Sequence, residues 1–372
     1  MTRRVLILGG AGVFGSRVAR LLAGTLDAEL VLAGRDPARV AALAAELRGA
    51  GATARPLTLD RRGGGLDAAL GGERPALLID ASGPFQAYGH DVPRLCVARR
   101  VPYLDIADGR AFVAGIRALD PAARAAGVPV LSGASSVPCL SGAAAEELAA
   151  GLDAVEAVRT WISPGNRAPR GRSVVRAVLA GAGQPLRWRQ DGTWRTVHGW
   201  QDLRRVEVPG LGRRWLSACD VPDLELLPER WPGLREATFH AGLELAPLHL
   251  GLWALSWAPR LGLLPSLAPL APAATAVARA LERFGTDRGG MRVEVEGRWS
   301  GRRVRRSWTL VAGSRHGPWV PAAPAAALAR RVLSGDPPPA GARPCLGALP
   351  LEAILAELRH LDVATRVERS DG

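Results

Sequence analysis

A short apolar, partly β-branched run, Val5-Leu6-Ile7-Leu8, runs straight into the glycine cluster Gly9-Gly10-Ala11-Gly12-Val13-Phe14-Gly15. A helical pattern follows at once, with Val18, Leu21 and Leu22 on one side and Arg17 and Arg20 on the other. Strand, glycine turn and helix in that order open a βαβ unit, and they imply a doubly wound α/β domain with a parallel sheet. Gly10, Gly12 and Gly15 fit the spacing G-x-G-x-x-G. Gly10 is expected to allow the tight turn, Gly12 to let the backbone approach a pyrophosphate, and Gly15 to let the helix pack closely on the strand. With Val13 and Phe14 they form the start of the helix, where unpaired N–H groups and the helix dipole favour negative charge. The expected ligand is a dinucleotide; the alternative is a glycine turn that binds nothing.

The second strand, Glu29 to Gly34, decides which dinucleotide. An acid about 20 residues past the glycines would bind the ribose 2′-hydroxyl of NAD. Arg35 stands in that place, and a guanidinium suits a 2′-phosphate, so NADP is the expected cofactor. Asp36 caps a helix that begins with Pro37. A third strand, Thr53 to Leu59, ends in Asp60, a candidate contact on the adenine side.

A fourth strand, Ala76 to Ala81, delivers a second anchor, Ser82-Gly83-Pro84-Phe85-Gln86-Ala87-Tyr88-Gly89. Ligands of such sheets bind beyond the carboxyl ends of the strands. Ser82, Gly83, Pro84 and Phe85 are therefore placed to hold the nicotinamide ribose, with Tyr88 or His90 presented toward it. Val101 to Asp105 is a fifth strand, with Asp108 three residues on, and Val128 to Leu131 a sixth, leading into 132–139. Tyr88, Asp105 and Asp108 are the candidate proton donors. Tyr88 also reads as packing, and Asp105 as a carboxylate that caps a helix or braces a loop. Cys139, without a histidine nearby in sequence, reads as a small buried residue.

Composition excludes several alternatives. The chain of 372 residues carries a net charge of +13, and every basic residue among its Lys and Arg is Arg. No lysine exists to form a Schiff base or act as general base. The arginines are scattered rather than massed, so nucleic acid is not expected as a partner. Four distant cysteines form no C-x-x-C, and six histidines form no metal spacing. The apolar run after Arg3 and Arg4 stops after about five residues, too short for a secretory signal, and a cytoplasmic setting is expected.

The pattern changes near residue 155. Met291 to Trp299 alternates cleanly and Arg303 to Val311 returns after Ser300-Gly301, which predicts a hairpin in an α+β domain with a mainly antiparallel sheet. Arginines 302, 303, 305 and 306 alternate faces along the returning strand and are expected to be solvated. Residues 245–281 are rich in Leu and Trp and broken by Pro259, Pro265, Pro269 and Pro272. The prolines oppose a membrane span. The stretch reads either as a buried core or dimer-interface helix pair, or as an exposed apolar lid that takes an acyl substrate or makes peripheral membrane contact. The expected domains are 1–135 for the nucleotide, 136–320 for substrate and dimerisation, and 321–372 as a C-terminal segment that packs back on the first domain and ends frayed.

The chain resembles the saccharopine dehydrogenase-like oxidoreductases. The resemblance rests on Gly9 to Gly15, Ala33-Gly34-Arg35, Gly83-Pro84-Phe85 with Tyr88-Gly89, and Tyr103-Leu104-Asp105. Gly289-Gly290-Met291 and Gly341-Ala342-Arg343-Pro344-Cys345 extend it more thinly. It implies a Rossmann domain with NADP, an inserted α/β substrate domain, and hydride transfer to or from a small or lipid-like substrate in a crevice between the domains, in a homodimer. The Gly-Glu pair usual after Asp105 is replaced by Asp108-Gly109-Arg110. The alternative from another class is a non-catalytic NADP-binding sensor or scaffold.

Overall fold

The structure, a computed structural model, describes residues 3–25, 27–169 and 171–371. It divides into two compact units: one runs to Leu140 and takes up Pro318–Glu357, and the other is Ser141–Gly317 with the chain from Leu358 onward.

The first unit is built on β1 (Arg3–Leu8), β2 (Ala28–Gly34), β3 (Ala54–Thr58), β4 (Leu77–Asp80), β5 (Tyr103–Asp105) and β6 (Pro129–Ser132). They form one parallel sheet in the order β6-β5-β4-β1-β2-β3, extended beyond β6 by the strand Gly341–Pro344. Helices cover both faces of such a sheet, so its strands read as continuous apolar runs rather than alternating ones. Leu6, Ile7, Leu32, Leu77, Leu78 and Ile79 are accordingly buried. Helix α1 (Gly15–Leu22) buries Val18, Ala19, Leu21 and Leu22. Helix α2 (Pro37–Gly49) starts where expected, because Asp36 Oδ1 accepts the Arg39 N–H at 3.1 Å and Pro37 supplies a preset first turn. The strand order reverses between β1 and β4, and the carboxyl ends of these two strands carry the glycine turn and Ser82.

The second unit contains a mixed sheet. Its strands are β7 (Ala154–Ser163), β8 (Pro185–Gln190), β9 (Thr193–His198), β10 (Arg204–Val208), β11 (Gly212–Ala218), β12 (Glu236–Ala241), β13 (Gly289–Trp299) and β14 (Arg302–Ala312), with a last strand Val363–Asp371. Among the described residues only β7 and β12 pair in parallel here; the other pairs are antiparallel. The hairpin β13–β14 forms with the expected register, Gly289 opposite Ala312 and Trp299 opposite Arg302. Ser300 and Gly301 both take positive φ, which suits the right-handed twist of the strands. Met291, Val293 and Val295 are buried, as their alternation requires. The arginines of β14 are not merely solvated. Arg305 pairs with Glu294 at 2.6 Å, and Arg306 Nη1 donates to the Leu148 and Ala150 carbonyls.

Two expectations change here. The segment 321–372 does not stay together: Pro318–Glu357 joins the first unit, while Val363–Asp371 pairs with β14 along its length instead of fraying. An unpaired β14 would expose a row of backbone N–H and C=O groups, and the last strand satisfies them. Residues 245–281 are not a buried helix pair. Helix α3 (Arg172–Gly181) packs against α4 (Ala246–Leu255) and α5 (Ala271–Ala280) through Leu252, Leu267, Ala271 and Ala274, and the opposite side of the segment is exposed. No helix among the described residues is long and apolar enough to cross a membrane.

One buried carboxyl in this unit has a measurable consequence. Asp223 is 1% exposed, and burial pushes it up to about 7, the Ser141 hydroxyl offsetting part of the rise. The folded chain then holds a proton that the unfolded chain releases near pH ~4. Its contribution to stability is full below about pH 4 and is lost as pH rises to about 7. Asp223→Asn is expected to be more stable than the natural chain by about 2 kcal/mol at pH ~8 and to gain little at pH ~4. Urea denaturation of both chains at the two pH values checks the difference, in which the other titrating groups cancel.

Candidate functional site

The turn after β1 is built by four backbone constraints. Gly9 adopts φ +70°, so the left-handed position falls one residue before the glycine expected to hold it. Gly10 instead lies against β2: a Cβ there would meet the Ile7 carbonyl at 3.1 Å and Leu32 Cα at 3.3 Å. The Gly12 N–H donates to the Gly9 carbonyl at 2.8 Å, closing the turn. A Cβ on Gly15 would lie 2.3 Å from that same carbonyl oxygen, so the helix can start here only without a side chain. Phe14 precedes α1, whose first turn contains no acidic residue. Of its leading N–H groups, that of Ser16 donates to the Gly12 carbonyl at 3.1 Å and that of Arg17 to the Phe14 carbonyl at 2.9 Å. What the helix start offers an anion is therefore the positive end of its dipole and the N–H groups of the turn before Ser16.

An open cavity of about 430 Å3 adjoins this turn, walled by Gly9, Ala11, Gly12, Gly34, Arg35, Asp36, Arg39 and Val40. Arg35 is exposed at the end of β2. Arg39 Nη2 donates to the Ala11 carbonyl at 2.9 Å, which ties α2 to the glycine turn and holds a second guanidinium over the cavity. Asp36, the nearest acid, is committed to capping α2. A second opening of about 510 Å3 shares Ala11, Gly12 and Arg39 and adds Val13, Ser16, Arg17 and Trp319. Arg17 is half-buried there, and burial, then the neighbouring Arg20, lowers its pKa. Its Nη1 donates to the Val13 carbonyl at 2.7 Å.

On the other side of the switch point, the end of β4 carries a buried ion pair. Asp80, fully buried, meets Arg61 at 3.2 Å. Arg61 Nη1 also donates to Ser82 Oγ at 3.1 Å, and the Ser82 N–H and hydroxyl both donate to Asp80 Oδ1. The Arg61 guanidinium stands 4.0 Å from the centroid of the Tyr88 ring, a cation–π contact that fixes the half-buried ring. Asp60 accepts the Arg62 N–H at 3.0 Å and so shapes the turn that presents Arg61; it lines neither opening. Gly83–Pro84 is a cis peptide bond, and Phe85 is buried against Phe112 with ring centroids 5.1 Å apart. His90 Nε2 lies 2.8 Å from the Phe112 carbonyl oxygen and is occupied in that packing.

The three candidate proton donors are placed differently. Asp105 is fully buried, and its Oδ1 accepts the Ala107 N–H at 2.9 Å, the Gly133 N–H at 2.8 Å and the Ser132 hydroxyl at 3.0 Å. Burial pushes this carboxyl up to about 7 despite those three donors. It braces β5 against the loop after β6 and is a positioning residue. Asp108 is exposed and accepts from Gln86 Nε2 at 2.9 Å. Tyr88 packs edge-on to Phe85. Tyr88 and Asp108 thus border the same short turn, Phe85–Ala87, while Asp105 lies beneath it in the core. Cys139 and Cys345 are buried free thiols.

Arg39 and Arg61 were not singled out from the sequence. Arg39 had a signal, since it lies one helical turn beyond Arg35 and three residues after the capping Asp36. Arg61 had none beyond its place at a strand end, because its partner Asp80 is reached only through the fold.

Comparison with known proteins agrees with this architecture. The family model of the saccharopine dehydrogenase NADP binding domain matches residues 5–131. Apo saccharopine dehydrogenase (L-Glu forming) from Saccharomyces cerevisiae superposes with a TM-score of 0.69 at 15% identity, covering 98% of this chain and 100% of that one. An amine dehydrogenase from Mycobacterium smegmatis gives a TM-score of 0.44 at 12% identity, over 92% of this chain and 94% of that one. At such identities the first likeness speaks for the fold, and the second is too distant to argue from. No curated relative matches the chain.

Proposed function

We propose, from the premise that residues 5–131 belong to the saccharopine dehydrogenase NADP-binding domain family, that this protein is an NADP(H)-dependent oxidoreductase that moves a hydride to or from a small or lipid-like substrate. The observation that carries the reading is the pair Arg35 and Arg39 on the cavity beside the glycine turn, with the one nearby acid, Asp36, occupied by a helix cap. Two guanidiniums suit a 2′-phosphate and would repel nothing that NADP presents. Gly12, Val13 and Gly15 would hold the pyrophosphate, and the Ser82–Phe85 turn the nicotinamide end. The nicotinamide supplies the hydride chemistry when bound. Tyr88 would deliver or take the proton from beneath Arg61, with Asp108 on the same turn.

The proposal is tested by following NADPH oxidation with imines, aldehydes and enones as acceptors. Turnover of at least one acceptor is expected, and Tyr88→Phe is expected to lower kcat about 100-fold or more with KM for NADPH unchanged. The burial of Asp105 favours a second reading, a non-catalytic NADP-binding sensor or scaffold, because it removes one donor from the reacting side. NADPH that binds but passes its hydride to no acceptor would establish that second reading.

A further inference from the structure

From Leu245 to Leu281 the chain carries two arginines, Arg260 and Arg279, and not a single acidic residue. In the second unit this stretch has two unlike sides. One is anchored: Leu252 and Leu267 are buried with Leu179, Ala182 and Trp200. The other exposes Leu255, Trp257, Leu261, Leu263, Leu264 and Leu270, with Leu261 at 64% and Leu263 at 72%. With Val277 and Phe284, eight of the eleven large apolar side chains most exposed to solvent among the described residues fall within residues 255–284. Isolated exposed leucines need no explanation, but a contiguous set marks a docking surface.

The charges say what docks there. Arg260 lies 4.4 Å from the centroid of the Trp257 ring, Trp253 stacks edge-on to Trp257, and Arg283 lies 4.7 Å from the Phe284 ring. Leucines at a loop tip, flanked by tryptophan and arginine, match the layering of a bilayer surface: acyl chains, then the interface, then anionic headgroups. A second copy of the chain fits less well: the one acidic residue between Leu255 and Phe284, Glu282, already meets Arg315 at 3.7 Å, so a two-fold contact through this face would offer Arg260 and Arg279 no uncommitted carboxylate. A span is ruled out, because the described helices here are short and broken by Pro259, Pro265, Pro269 and Pro272.

We propose that the face from Leu255 to Phe284 docks on an anionic lipid bilayer, inserting Leu261, Leu263 and Leu264 and setting Arg260, Arg279 and Arg283 against headgroup phosphates. The inference is independent of the cofactor, so its test uses the full chain without nucleotide. Co-sedimentation with phosphatidylcholine vesicles and with vesicles containing phosphatidylglycerol compares the natural chain, Arg279→Gln, and the triple variant Leu261→Ser, Leu263→Ser, Leu264→Ser. Binding is expected on the anionic vesicles only, weakened by salt, about fivefold lower for Arg279→Gln and lost in the triple variant. The three leucines are exposed, so an unchanged melting temperature checks that the variant is folded. No binding by the natural chain, or equal binding by the folded triple variant, overturns the proposal. So does a dimer in light scattering that the triple variant converts to monomer while neither chain binds vesicles, which would assign the face to a second copy.

Discussion

Gly15→Val abolishes nucleotide binding and destabilises the first unit. The new Cβ would stand 2.3 Å from the Gly9 carbonyl oxygen and 2.9 Å from its carbon. Both are backbone atoms of a closed turn, so no side chain can swing away. The helix must withdraw from the strand, at a cost of about 3 kcal/mol for a forced overlap in a packed region. Withdrawal also moves the turn and helix start that are proposed to hold the pyrophosphate. The affinity for NADPH should fall more than about 100-fold, because several charge-assisted hydrogen bonds are lost together. Urea denaturation and nucleotide titration of the same preparation read the two effects. Affinity within tenfold of the natural chain would mean that the turn is not the pyrophosphate site.

Asp105→Ala is expected to be as damaging, for a different reason. Its Oδ1 gathers two backbone N–H groups and a hydroxyl, all in the core. Without it three buried donors lose their acceptor, at about 1–3 kcal/mol each, and a loss of roughly 4 kcal/mol is expected in total. Asp105→Asn keeps an acceptor oxygen in place, and since burial already pushes the carboxyl up to about 7, it should retain most of the stability at neutral pH. The pair of variants separates brace from catalyst. A stable Asp105→Asn chain with normal turnover is the expected result, whereas a stable chain with turnover abolished would make Asp105 a reacting group.

The parallel domain was legible because its signals are local. A strand buried on both faces, a glycine turn and a capped helix are each written in a few adjacent residues, as at Val5–Gly15 and at Asp36–Pro37. Alternation made the β13–β14 hairpin equally plain. The partner of β14 was not legible: Val363–Asp371 is polar along much of its length and has no apolar alternation to mark it as a strand. Only the need to satisfy an exposed edge places it there. The site was legible as a set of strand ends and not as a set of roles. Arg35 lines the cavity beside the glycine turn and Tyr88 packs under Arg61, but Asp105 turned inward, since its three donors come from residues 107, 132 and 133, which only the fold assembles around one oxygen. For residues 245–281 the sequence recorded apolarity without direction. Which leucines face inward depends on α3, Trp200 and where each proline stops a helix.

The central claim is that this chain holds NADP through Arg35, and calorimetric titration with NADPH and with NADH, for the natural chain and for Arg35→Ala, tests it most directly. A guanidinium on a 2′-phosphate is a charge-assisted contact that contributes about 10–100-fold. The natural chain should bind NADPH at least about tenfold more tightly than NADH, and Arg35→Ala should lose most of that preference while its NADH affinity stays put. Equal affinity for the two nucleotides in the natural chain, or a preference that survives Arg35→Ala undiminished, would contradict the account.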